Sequence, residues 1–483
     1  MANTPDPTEI QFKRYVEEIA AAVGHADRRE PLKAYLTGLL LPGERKSVEP
    51  MAALIDPRRV GARHQSMHHF VAKADWEDDA VLRLARNNVL DAMERHGAVA
   101  GWIIDDTGIP RKGRHSVGVA RQYCGVFGKQ DNCQVAVSVS LANEAVSVPA
   151  AYRLYLPEFW ARDRKRRAAA GVPKMVKFET KWQIALNMID VLRADGLPPA
   201  PVSAYAGYGV VTAFRDALTQ RQIPYVVASS KETTVWPPGV DPMPPQTWSG
   251  RGRPPSRIRR SSVQQPAPVI ELVRHAPADL WQDIVWREGT RGKMTSRFFL
   301  LRVRPAHRDE KRHEPRDFEG LLAEWPHGEA EPTKFWLSTM PPDTASEQLV
   351  RLAKLRWRIE RDYQELKGSF GLDHYEGRGW RGFHHHGSLC IAAYAFLAAE
   401  RARLSPLSLF PSSAPLAYPV VSSHGVLPVR PERHVSTSID TFCRMQSRAL
   451  LQEYCCSWCS RSPEPNAVYY TVVLGKPKHI GVT

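Results

Sequence analysis

Apolar positions change period several times along this chain, and each change marks an element. From Thr344 to Lys367 the text reads TASEQLVRLAKLRWRIERDYQELK, with Leu352, Leu355, Ile359, Tyr363 and Leu366 at 3-4-4-3 spacing. That is the apolar face of one long helix. At about 100° per residue, Arg356, Glu360 and Lys367 lie within about 40° of one another, on a stripe beside that face. Taken alone, a carboxylate flanked by two cations is a solvated ion-pair ladder as readily as a ligand set. Upstream, residues 9–23 and 31–41 have helical period, and Pro42-Gly43 interrupts it. Between His64 and Gly97 two more helices are expected. Asp75 would cap the second, which turns Val81, Leu82, Leu84 and Val89 inward. Two helices around a short turn fit a helix-turn-helix and a plain bundle equally.

After this the period shortens. Ala98–Ile104 (AVAGWII) predicts a strand ending at Asp105-Asp106-Thr107-Gly108, followed by the basic turn Pro110-Arg111-Lys112-Gly113-Arg114. Asn132–Leu141 and Val148–Leu156 predict two further strands. Residues 178–194 carry Trp182, Ile184, Ala185, Met188 and Leu192 at helical spacing, and Pro201–Gly209, Ala213–Gln220 and Ile223–Ala228 then alternate strand, helix and strand. The predicted class is therefore α/β, with a mixed sheet that presents acids at its rim. An acid at a strand end serves a metal or phosphate site, and it serves equally as a turn cap.

Trp236–Pro268 breaks the pattern with prolines and arginines, an extended insertion whose GRGRPPSRIRR can lie in a narrow DNA groove or remain a solvated loop. Ile284–Glu288 and Ser296–Arg304 flank GTRGK as a hairpin, and Lys334–Thr339 is one more strand. Beyond Lys367, Ser388–Arg403 reads as a mostly apolar helix. The preceding His384-His385-His386 reads as a basic, hydrogen-bonding patch, because three consecutive side chains diverge on a helix. The stretch after Leu404 is rich in Pro and Ser, with Ser438–Leu451 its periodic exception, and reads as a loosely folded tail.

Composition narrows the partners. The chain has 483 residues, enough for two or three domains, and 66 Lys+Arg against 51 Asp+Glu give a net charge of +15. That excess favours a polyanion, nucleic acid first. No apolar run is long enough for a membrane helix, and the N-terminal stretch lacks an apolar signal core, so a cytoplasmic protein is expected. Seven cysteines are too few for a disulfide scaffold, and the Cys455/Cys456/Cys459 cluster offers only half of a zinc-site spacing. No glycine-rich phosphate loop or dinucleotide fingerprint is present.

Several blocks together resemble one family. Arg356-x3-Glu360-x6-Lys367 matches the R-E-K part of the Y-x2-R-x3-E-x6-K motif of bacterial insertion-sequence transposases of the DDE type, with Ala353 where the motif has Tyr. DDTGIPRKGRHSVGVARQYCG is similar to the block around that family's first catalytic Asp, and LDHYEGRGWRGFHHH to the stretch after its glutamate. The similarity spans most of residues 30–405. It implies an RNase H-like core with a β-rich insertion and an N-terminal helical DNA-binding region. The implied division is 1–95 DNA-binding, 96–230 and 341–405 the two parts of the core, 231–340 the insertion and 406–483 the tail. It further implies metal-dependent cleavage and strand transfer on double-stranded DNA at terminal inverted repeats and at a target. The implied cofactor is two Mg²⁺ ions, for which Mn²⁺ can substitute. A dimer on DNA in a bacterial nucleoid is expected. Asp105 carries over as the first ligand, with Asp106 in reserve, and Glu360 as the last. Arg356, Lys367, Arg111, Lys112, Arg251, Arg253, Trp380 and Arg381 are expected to hold DNA. The second acid departs from the pattern: in PVSAYAGYGVVTAFRDAL, Tyr205 stands where the family has Asp. A neutral phenol is a poor Mg²⁺ ligand beside a carboxylate, so impaired cleavage is the alternative expectation.

Overall fold

A computed structural model describes residues 7–289 and 292–404. The tail, the cysteine cluster and Ser438–Leu451 lie outside the described residues. Five helices come first: α1 (Pro7–Val23), α2 (Arg29–Leu40), α3 (Val48–Ile55), α4 (Val60–Ala72) and α5 (Asp78–Glu94). Four strands follow: β1 (Gly101–Pro110), β2 (Ala120–Cys124), β3 (Lys129–Ala142) and β4 (Ser147–Leu154). Next come α6 (Glu158–Arg162), α7 (Arg164–Ala169) and α8 (Lys181–Ala194). Then β5 (Val202–Ala204), α9 (Ala206–Gly209), α10 (Thr212–Gln220) and β6 (Tyr225–Ser229) complete the first part of the sheet.

The central order is β4-β3-β1-β5-β6. β1 runs antiparallel to β3, β3 antiparallel to β4, and β1, β5 and β6 run parallel. This is an RNase H-like sheet. Its strands are apolar on both faces because helices cover both, and Ile103, Ile104, Val137, Val139, Val226 and Val227 are fully buried.

The insertion adds β7 (Thr234–Trp236), β8 (Ala267–Pro268), α11 (Val269–Arg274), β9 (Trp281–Gly289), β10 (Gly292–Pro305), β11 (Glu319–Trp325) and β12 (Lys334–Ser338). β12 pairs antiparallel with β6, so the insertion prolongs the same sheet. It also has a core of its own, in which Val269 and Val273 of α11 pack with Phe299, Leu321, Phe335 and Leu337. Between β7 and β8 the Pro/Arg-rich stretch is irregular, with an isolated bridge between Met243 and Arg259 and a backbone bond from Ile258 N–H to Arg312 O. Arg260 anchors its end on Asp309 and Glu310.

The chain returns through α12 (Ser346–Lys354), α13 (Trp357–Gly368) and α14 (Trp380–Leu404). The expected single helix over 344–367 is therefore two. At the joint, Leu355 and Arg356 keep right-handed helical angles. Their ladder tightens, with Leu355 N–H bonding Leu352 O, Arg358 N–H bonding Leu355 O and Ile359 N–H bonding Arg356 O. These are i to i−3 bonds, which overwind the turn and re-aim α13. The joint is pinned where Lys354 pairs with the buried Glu324 of β11 and lies over the Trp286 ring at 4.5 Å.

The N-terminal helices are not a free module. α5 lies along α14 and β4, and α2 and α4 also pack on α14. Glu77, and not Asp75, precedes the first turn of α5, while Asp75 accepts from Arg381 at 2.6 Å. The three histidines expected as a basic surface patch lie inside α14 and are buried. His385 has Val71 O at 3.0 Å and Trp76 O at 2.8 Å from its two ring nitrogens. His386 has the Tyr35 hydroxyl and Gly371 O, each at 2.8 Å. Burial lowers the pKa of all three, His385 and His386 to about 4. His384 and His386, each with one ring nitrogen donating and the other accepting, are uncharged pegs, and the three rings together fasten α14 to its neighbours.

Candidate active site

β1 does not end at Ile104 as its sequence suggests, because β3 continues to pair with it as far as Pro110. What ends there is the parallel neighbour: Ile104 opposite Ala204 is the last pair between β1 and β5. Asp105 is the first residue past that point on β1, and Tyr205 the first past it on β5. The two positions therefore sit side by side at the rim where the parallel strands stop, a usual place for a site in a sheet of this kind.

Successive strand residues face opposite ways. Asp105 faces α13, where Arg356 Nε donates to its Oδ2 at 3.2 Å and Arg356 Nη1 lies 3.1 Å from Glu360 Oε1. One guanidinium thus joins the first and last expected acids. Asp105 is buried, and burial, opposed by Arg356, pushes its carboxyl up to about 6. Its Oδ1 accepts the backbone N–H of Asp106 at 2.9 Å. Asp106 turns toward α8 and pairs with Lys181, the first residue of that helix. Thr180 and Gln183 form a capping box that fixes the start of α8, and with it Lys181. The Tyr205 phenol lies near Asp106, and the Arg356 guanidinium carbon lies 5.3 Å from the centre of the Tyr205 ring. Burial, then the neighbouring Asp106, raises the pKa of this phenol.

α13 is oriented by buried bonds. Tyr363 bonds Ser138, the β3 residue paired with Asp105. Asp362 Oδ1 accepts from Ser147 at 2.7 Å and from Tyr394 at 2.8 Å, and burial pushes this carboxyl up to about 6. Lys367 donates to Gly108 O on β1 at 2.8 Å, and burial lowers its pKa.

The remaining sequence candidates scatter. Arg111 turns inward, donating to Gln134 Oε1 at 2.6 Å and Asp373 O at 3.1 Å. Trp380 packs on His384, and Arg381 is tied to Asp75 and Lys73 O, on α14 and away from the carboxylates. Lys112, Arg251 and Arg253 are exposed. Lys181 is the member that sequence reading missed: a single lysine opening an amphipathic helix has no distinguishing pattern.

Residues 18–293, more than half of the chain, match the family described as DDE superfamily endonuclease. The chain belongs to this family. It is also similar to a probable transposase for insertion sequence element IS701 from Microchaete diplosiphon, with 28% identity over 200 residues. That region is 41% of this chain and 48% of that protein, so the likeness spans about half of the relative's length. Members of the superfamily generally use divalent metal ions. As the side chains stand, this rim does not fit such a pair. Among the described residues no three His, Cys, Asp or Glu side chains are grouped to hold a metal ion. Arg356 occupies the line between Asp105 and Glu360, and a phenol stands at the second acid's position. No helix among the described residues is long and apolar enough to cross a membrane.

Proposed function

We propose that this chain is an insertion-sequence transposase that binds the terminal inverted repeats of a DNA element, as a dimer on double-stranded DNA, and acts there and at a target by cleavage and strand transfer. The observation that carries this reading is the meeting of Asp105 and Glu360 at one guanidinium, on the rim of an RNase H-like sheet. The family's chemistry at such a rim is supplied by Mg²⁺, with Mn²⁺ as substitute. This chain's own residues supply the cations that hold phosphates: Arg356 as a fork, Lys181 and Lys367 as point charges. Exposed Lys112, Arg251 and Arg253, in a chain of net charge +15, extend the contact along the backbone.

Tyr205 favours a second reading, in which the chain keeps end recognition and loses cleavage. An end-binding protein of this kind would occupy the repeats of active relatives. Gel-shift titration on the inverted repeats flanking the coding region, against scrambled DNA of equal length, tests the first element. Preference for the repeats at physiological salt is expected, and equal affinity for both would overturn it. Nicking of the same DNA by the unaltered chain separates the readings, since robust cleavage eliminates the second.

A further inference from the structure

We infer that the carboxylate rim is balanced by the chain's own cations, so that it takes up divalent ions only weakly as it stands, and that Tyr205→Asp alone converts it into a tighter divalent-cation site. Three acids line the rim, Asp105 and Glu360 on the side of α13 and Asp106 on the side of α8. Arg356 answers two of them and Lys181 the third, each through a direct ion pair. Lys367 adds a further positive charge close enough to act on Asp105. The three negative charges therefore already face three positive ones, and a divalent ion entering this set would leave it with an excess of positive charge.

Tyr205 completes the arrangement. Its ring carries the Arg356 guanidinium, which favours the side-chain position that bridges Asp105 and Glu360. The ring also folds back over the following turn: a Cβ on Gly207 would lie 2.4 Å from a Tyr205 ring carbon. An aspartate at 205 removes the ring, adds a fourth negative charge, and places a carboxylate beside Asp105 at the end of β5. Divalent cations prefer such oxygen-rich, negatively charged sets.

The inference rests on the transposase reading for the identity of the rim, yet its test uses no DNA, so the two can fail separately. Mn²⁺ is titrated into the full chain and into Tyr205→Asp, Tyr205→Phe and Tyr205→Asp/Glu360→Gln, with binding followed by water-proton relaxation and folding by circular dichroism. Tyr205→Asp is expected to bind Mn²⁺ at least tenfold more tightly than the unaltered chain. Tyr205→Phe is expected to match the unaltered chain, and the double variant to lose most of the gain. Tyr205→Glu replaces the aspartate variant if that one does not fold. Equal Mn²⁺ affinity in the unaltered chain and a folded acidic variant would overturn the inference, as would a gain that survives Glu360→Gln. A gain in Mn²⁺ binding without any action on DNA ends would uphold the inference and remove the transposase reading.

Discussion

The carboxylate rim and the histidine cluster of α14 are both rows of polar side chains drawn into the protein, and they are satisfied by different kinds of partner. At the rim, Asp105, Asp106 and Glu360 are held by Arg356 and Lys181, long side chains that can swing away. Arg356 is 39% exposed and Glu360 59%. In α14, His385 and His386 are held mainly by backbone carbonyls of α4, the turn after it and the loop before α14. Those partners cannot leave without unfolding the elements that carry them. Charge met by mobile charge marks a place where phosphate can compete, whereas a neutral ring met by backbone marks a joint.

Substitutions can break this contrast at either side. The largest effect is expected at the joint. His386→Ala leaves a cavity and two unanswered groups, Gly371 O and the Tyr35 hydroxyl, at a cost of roughly 4 kcal/mol in urea unfolding. The same change at Glu360 should cost almost nothing in that measurement, because Glu360 is largely exposed.

Acid sharpens the contrast next. The pKa of His385 and His386 is lowered to about 4, so the stability they give is complete above the ordinary value near 6.5 and is lost as pH falls toward 4. Asp105 and Asp362, pushed up to about 6, run the other way: their contribution is present below about 4 and is lost as pH rises through 6. The stability gap between the unaltered chain and His386→Phe isolates the ring. It should narrow by roughly 3 kcal/mol between pH 7 and pH 4. A constant gap would mean that His386 is not held neutral.

Smaller effects are expected at the rim. Gly207→Ala should destabilise the unaltered chain by about 1 kcal/mol, because the Tyr205 ring must move, and should be close to neutral in Tyr205→Asp. Arg356→Ala should weaken binding to any DNA sequence several-fold and reduce the salt slope by about 1, with a modest loss of stability because buried Asp105 loses its cation.

Much of this architecture was legible in the sequence, and the exceptions have physical causes. The strands of the sheet are apolar runs because helices cover both faces, and a run such as AVAGWII shows that burial directly. Continuation of β1 through Asp-Asp-Thr-Gly was hidden, because those residues favour turns and only pairing with β3 keeps them extended. β2 was hidden as well, since ARQYC is polar on its exposed side. The joint at Leu355 and Arg356 has no breaking residue. It arises from where Lys354 is anchored, which lies in the tertiary structure. The histidines misled for a related reason: three consecutive polar residues suggest a surface, but here the α14 segment that carries them is enclosed. At the rim, Asp105, Glu360, Arg356 and Tyr205 were all identifiable from motif blocks, whereas Lys181 depends on how α8 docks against β3 and β4.

The most direct test of the rim as the catalytic centre is end-nicking in Mg²⁺ by Tyr205→Asp, side by side with Tyr205→Asp/Glu360→Gln. The account predicts nicks at the inverted-repeat ends from the first protein and none from the second. Equal nicking by both, or none by a folded Tyr205→Asp that still binds the ends, would contradict it.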